Sequence, residues 1–140
     1  MRYVLDTDVI VAGLRSPTGA SAALIDRALC RAFTLLLSVA LTLEYEAVCC
    51  DQTQRIASGL SEADVGTVIS ALCQVAEPVV MWFLWRPQLR DPADEMVLEA
   101  AINGNADGLV TFNRRHFGDA PERFGIAVLS PQEALRRISE

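Results

Sequence analysis

Short apolar runs alternate with amphipathic stretches from one end of the chain to the other. Tyr3-Val4-Leu5 is a run of β-formers that stops abruptly at Asp6-Thr7-Asp8, the pattern of a fully buried strand. Val9 to Ala12 stays apolar up to Gly13 and predicts one or two helical turns; Ser16-Pro17-Thr18-Gly19 predicts a turn. Ala22, Leu24, Ile25, Ala28, Leu29 and Ala32 then recur at helical spacing, with Asp26, Arg27 and Arg31 facing out. Thr34 to Leu37 predicts a second strand, and Ser38 can cap a helix over Ala40 to about Arg55. In that helix Glu44 is embedded among apolar positions, whereas Glu46 sits on the other side and can reach solvent. Ser61 with Asp64 three residues on predicts a capping-box start for a helix carrying Val65, Val68, Ile69, Leu72 and Val75.

Pro78 breaks the pattern, and Val79 to Leu84 predicts a third strand crowded by Trp82, Phe83 and Trp85, as core or as a partner contact. Asp91-Pro92 opens a helix that runs to Gly104, with proline at its first position. Leu109 to Phe112 predicts a buried fourth strand closed by Asn113, and a basic turn, Arg114 to Phe117, follows. Ile126 to Leu129 predicts a last strand, and Ser130 caps a closing helix over Pro131 to Ile138. Strands alternating with helices in this way predict an α/β sheet with parallel strands. No repeat, linker or low-complexity segment interrupts the alternation.

Composition narrows the picture. With 140 residues, 51% hydrophobic and 21% charged, residues 1–140 are expected to form a single domain with a real core. No apolar run approaches the roughly 20 residues that span a bilayer, and no basic leader precedes the first strand, so a cytoplasmic protein without membrane contacts is expected. The four cysteines, Cys30, Cys49, Cys50 and Cys73, form no C-x-x-C pair and only one histidine exists, which disfavours a zinc cluster or disulfide framework. A net charge of −6 argues against binding nucleic acid through a bulk basic footprint, although a divalent cation at a carboxylate cluster would reverse the local sign. Every basic side chain apart from His116 is arginine; the chain has no lysine.

The candidate chemistry lies in the acids at strand ends. Asp6 ends the first strand, Glu44 follows the second, Asp91 and Asp94 open the helix before the fourth, and Asn113 closes the fourth with a neutral oxygen. In an open parallel sheet, strand ends are where ligands collect. Anions brought together there raise one another's pKa or require a counter-charge, and Mg2+ or Mn2+ suits oxygen donors that also meet phosphate. Such an ion activates water and steadies displacement at phosphorus. The competing structural readings are as concrete. Asp6 and Asp8 can cap the following helix, Glu44 can sit at a helix rim, Asp91 is an N-cap before Pro92, and Asp94 at N3 complements the helix dipole. Asp107, ahead of the fourth strand at its far end, reads as a turn residue. His116 reads as a surface or phosphate-contact residue.

Leu5-Asp6-Thr7-Asp8-Val9, Glu44-Tyr45, Arg90 to Ala101 and Ala106 to Asn113 together resemble the PIN domain, and more narrowly the VapC-like toxins of bacterial toxin-antitoxin pairs. The resemblance covers essentially the whole chain, and the order of its blocks is more specific than any one block. It implies a three-layer α/β/α fold with a short parallel sheet flanked by helices. It also implies a metal-dependent ribonuclease for single-stranded RNA, silenced in many members by an antitoxin. The family's acidic site carries over to Asp6, Glu44 and Asp94 as catalytic and metal-binding residues, with Asn113 as a further metal ligand. Thr7, Asp8, Asp91 and Thr111 are expected to support that site, and Arg15, Arg114, Arg115 and His116 to meet the RNA backbone. Two departures stand out. Many members carry an acid where this chain has Asn113, and the common asparagine two residues after the first acid is Asp8 here. Asp8 returns a carboxylate to the neighbourhood.

Two rival readings compete. Asp6-Thr7-Asp8-Val9 also looks like the start of haloacid-dehalogenase phosphatases, with Asp6 as nucleophile, but the absence of lysine and Val9 in place of glycine argue against it. A degenerate, non-catalytic PIN module binding RNA or a partner is favoured by Asn113 and the net negative charge. The expected partners are single-stranded RNA, a cognate antitoxin that wraps the apolar surface of the early helices, and a second copy in a homodimer.

Overall fold

The computed structural model describes residues 1–82 and 89–139. In chain order the elements are β1 (Arg2–Leu5), α1 (Thr7–Arg15), α2 (Ala20–Leu29), β2 (Thr34–Leu37), α3 (Val39–Cys49), α4 (Gln52–Ser58), α5 (Glu62–Val75) and β3 (Glu77–Pro78). They continue with α6 (Pro92–Asn103), β4 (Gly108–Val110), α7 (Arg114–Phe117), α8 (Ala120–Arg123), β5 (Ala127–Leu129) and α9 (Pro131–Ser139).

The strands form one five-stranded sheet in the order β3-β2-β1-β4-β5, every neighbouring pair parallel. Helices flank it, as the alternation predicts. β1 lies at the centre: Tyr3 faces Leu35 on one side and Gly108 on the other, and Leu5 pairs with Val110. With strands on both sides of it and helices over its faces, β1 is enclosed, which is why Tyr3, Val4 and Leu5 are all apolar and fully buried. A Cβ at Gly108 would stand 3.0 Å from the Tyr3 ring and from Leu129 Cδ1, a fit so tight that those side chains would have to give.

Several boundaries differ from the sequence pattern, each for a local reason. α1 starts at Thr7, capped by Asp6, and runs through Gly13 to Arg15; the glycine does not end it. Gly13 is instead where α1 meets α2, since a Cβ would lie 2.4 Å from Ile25 Cδ1. The helix expected over Ala40 to Arg55 is two. Asp51 breaks it by accepting a hydrogen bond from Thr53 N at 3.1 Å, and α4 ends on left-handed Gly59 at φ 75°. The third strand is Glu77–Pro78, ahead of the expected Val79 to Leu84. Proline is tolerated there because β3 is an edge strand, and Val79 N still donates to Leu37 O. Leu84 and the aromatic pair Phe83 and Trp85 lie outside the described residues; Trp82 is 76% exposed. The fourth strand stops at Val110, and Phe112, expected in its buried run, is exposed.

The layout decides what gathers at the carboxyl edge of the sheet. Asp6 follows β1, α3 follows β2, and Thr111 follows β4. α6 runs back against the strand direction, so its first turn opens at the same edge. Asp107 lies at the other edge, where its carboxylate accepts from Arg2 N at 2.8 Å; the turn role expected of it holds.

Candidate active site

Asp6 does two jobs at once. As N-cap of α1 it accepts from Thr7 N at 2.7 Å through Oδ1, and its Oδ2 accepts from the buried Thr111 hydroxyl at 2.7 Å. Thr111 in turn accepts from Asn113 N at 2.9 Å, so the chain leaving β4 is folded around the carboxylate at the end of β1. Asp8, in the first turn of α1, ties down the next residues. Its Oδ2 accepts from Phe112 N at 3.1 Å and from the Asn113 side-chain amide at 2.9 Å. Its Oδ1 is sealed from solvent without a hydrogen-bond partner. That is the state a buried acceptor avoids when protein donors are enough.

Glu44 reaches the same region from α3. The next residue, Tyr45, is fully buried, and its hydroxyl donates to Leu5 O, latching α3 to the end of β1. α6 supplies Asp91 and Asp94. Asp91 is the N-cap expected from the sequence, accepting from Ala93 N at 2.9 Å. Asp94 is buried at N3, and His116 Nδ1 from the short helix α7 stands 3.4 Å from its Oδ2.

A pocket of about 640 Å³ is lined by Asp6, Thr7, Asp8, Arg15, Glu44, Asp91, Asp94, Asn113 and His116, together with apolar side chains of α1 and α3. The structure thus brings together most of the residues singled out in the sequence. Thr111 stands behind Asp6 and not on the pocket wall. Arg115 lines a neighbouring groove of about 580 Å³ with Arg90, and this groove shares Asp91, Asp94 and His116 with the acidic pocket. Arg114 is paired with Glu133 of α9. One residue escaped the sequence reading: Gln54 also lines the pocket, with a buried side-chain oxygen that has no hydrogen-bond partner. Its signal was Asp51, a cap residue that starts α4 and turns it back toward α1.

The electrostatics are those of crowded anions. Burial, then the charge of Asp8, pushes the Asp6 carboxyl up to about 6 against the hydrogen bonds from Thr111 and Thr7 and the nearby His116. Burial chiefly raises Asp8 as well; the N–H groups of Phe112 and Val9 and the Thr111 hydroxyl favour its charge, while Asp94 disfavours it. Asp94 is raised by burial first and then by Asp6 and Asp91. Three carboxyl groups, two from the start of the chain and one from the first turn of α6, are each held above the ordinary carboxylate range in one place.

Such a set fits a hard divalent cation by donor chemistry, since every candidate ligand is a carboxylate or amide oxygen. The orphaned Asp8 oxygen is a further acceptor in want of a partner. The Asn113 amide nitrogen is engaged by Asp8, which leaves its carbonyl oxygen as the only atom it can offer an ion. Among the described residues no group of three or more His, Cys, Asp or Glu side chains is already drawn together tightly enough to hold a metal. The acids share a pocket without yet closing on a common point.

A parallel sheet whose strand ends open on a pocket of hard oxygen donors defines an α/β protein with an acidic strand-end site. Comparison with known families matches residues 2–115 to the PIN domain. The chain therefore belongs to the PIN domain family, whose members are typically metal-dependent nucleases. A search of curated proteins and a search of solved structures gave no match.

Proposed function

We propose that this PIN domain protein is a Mg2+- or Mn2+-dependent endoribonuclease that cuts single-stranded RNA, and that it acts as the toxin of a toxin-antitoxin pair. The observation that carries the reading is the gathering of Asp6, Asp8, Glu44 and Asp94, all buried or half-buried, on one pocket at the rim where β1, β4 and α6 meet. Asp6 and Asp94 are the residues that would hold the ion, with Glu44 binding or orienting the attacking water and Asn113 offering its carbonyl. When bound, the cation supplies a lowered water pKa and charge stabilisation at phosphorus. The chain's own groups do the rest. Thr111 and Thr7 N fix the Asp6 carboxylate, and Tyr45 holds α3, and with it Glu44, at a set distance from β1. His116 holds Asp94 from the groove side, where Arg115 and Arg90 offer positive charge to the RNA backbone.

The toxin role is supported by the VapC-like resemblance and by Val39 and Leu43, 78% and 60% exposed one turn apart on α3. These apolar side chains suit a wrapping antitoxin or a second copy. A short DNA-binding-type reading frame beside the gene is the expected genomic context. The second reading, a non-catalytic module, is favoured by one observation, the neutral Asn113 spent on Asp8. Incubation of the purified protein with labelled single-stranded RNA and Mg2+ or Mn2+ separates the two. Cleavage that disappears with EDTA, and falls at least about a hundredfold in both Asp6→Asn and Asp94→Asn, is expected. Metal-dependent RNA binding without cleavage by the wild type would establish the module instead.

A further inference from the structure

We propose that a second pocket, beside the acidic one, receives a single unpaired nucleobase of the RNA, with Phe112 as its stacking face. The proposal rests on the nuclease reading and names a part of its substrate. The pocket is about 450 Å³, within the range of small-ligand sites, and lies where the end of α1 and the start of α2 meet the end of β4 and the start of α9. It adjoins the acidic pocket, because Ala12 and Ser16 line both. A base seated there belongs to a nucleotide whose phosphate is close to the carboxylates.

Two independent features point to an aromatic, hydrogen-bonding ligand. Phe112 is 54% exposed although it follows directly on a buried strand, and the bond from its N–H to Asp8 Oδ2 fixes the backbone that presents it. Ser21 on the wall of the same pocket is 4% exposed, and its hydroxyl has no hydrogen-bond partner. Ser16, Ser130 and Gln132 add further hydroxyl and amide groups, which can donate and accept. None of the lining side chains is charged, so the pocket is built for a neutral ring and not for a phosphate. The charge lies next door, in a groove that shares Phe112 and Ser130 with this pocket and contains Arg115 and His116, along with Arg114 already paired to Glu133. An aromatic platform beside a basic track is how single strands are held, each base stacking while its edge is read. This pocket therefore sets the base preference next to the cut.

The test uses full-length Asp94→Asn protein, which is expected not to cleave, and fluorescence anisotropy with labelled eight-nucleotide rA, rC and rU strands. Adding Phe112→Ala is expected to weaken binding about tenfold, and Phe112→Tyr to keep it within about twofold of the parent. Ser21→Ala is expected to change the ratio of affinities among the three strands by about threefold or more, with the melting temperature unchanged. Equal binding by the parent and the Phe112→Ala form, with equal base ratios in Ser21→Ala, would overturn the base pocket and leave the nuclease reading standing. Failure of the parent to bind any strand, together with no cleavage by the wild type, would overturn both.

Discussion

Replacing Asp6 by asparagine should make the metal-free protein more stable at neutral pH, although it removes a central residue of the site. The folded chain holds Asp6 at about 6, against the ordinary value of 3.8. Below about pH 4 the group is protonated in both folded and unfolded chains and contributes nothing. Between about pH 4 and 6 the unfolded chain releases the proton while the folded chain keeps it, so stability falls as pH rises. Above that window the whole cost is present, about 3 kcal/mol at 1.36 kcal/mol per pH unit. Asparagine keeps an oxygen for Thr7 N and turns an amide toward Thr111, but loses the stronger charge-assisted bonds, so a net gain of about 1.5–3 kcal/mol is expected. For 140 residues this corresponds to about 5–10 °C in melting temperature. The assay is thermal unfolding in EDTA at pH 4 and pH 7.5, then with added Mn2+. The variant should melt with the wild type at the acid pH and above it at pH 7.5, and Mn2+ should raise the wild type far more than the variant. Asp6→Asn protein melting at or below the wild type at pH 7.5 in EDTA would refute the picture of a strained acid awaiting a cation.

Two further outcomes follow from contacts outside the acids. Tyr45→Phe removes the buried bond to Leu5 O and should cost about 1–3 kcal/mol, read as a lower denaturation midpoint, with a larger proportional loss in RNA cleavage than a distant core substitution of equal cost. Unchanged stability would mean that the hydroxyl bond is not what holds α3. Arg115→Ala should weaken RNA binding for all sequences and reduce the salt slope by about one, whereas Arg114→Ala, already paired with Glu133, should change the slope little. The reverse order would place the backbone track on the α9 side.

The fold was readable wherever burial alone dictates residue type. β1 and β2 lie in the sheet interior, so their apolar runs carry no competing signal, and α6 announces itself by Asp91-Pro92. Edges and ends were harder to read. β3 owes its place to pairing with β2 and not to its own composition, and α7 and α8 are single turns too short to show periodicity. Phe112 looked buried because apolar runs do not say where the chain turns away; the acceptor that turns it is the carboxylate of Asp8, over a hundred residues earlier. The same applies to the site. Asp6 and Asp94 could be placed at a strand end and a helix start, and Glu44 among the apolar positions of the helix after the second strand, one by one. The Asp8–Asn113 bond, the contact between His116 and Asp94, and Gln54 in the pocket arise only from tertiary packing. Asp6 and Asp91 show why caps and site acids resemble each other in sequence, since one carboxylate can serve the helix with one oxygen and face a pocket with the rest.

The tyrosine latch between α3 and β1 has a consequence for how the pocket closes. With Asp6 gripped at both oxygens and Glu44 carried on a helix bolted to the neighbouring strand, that half of the rim behaves as an anvil. The opposing half is Asp94, with the exposed His116 imidazole 3.4 Å away on its outer side. An ion bound here would meet one half of the rim already fixed, and the fit would fall to the opening turn of α6 and the basic turn beside it.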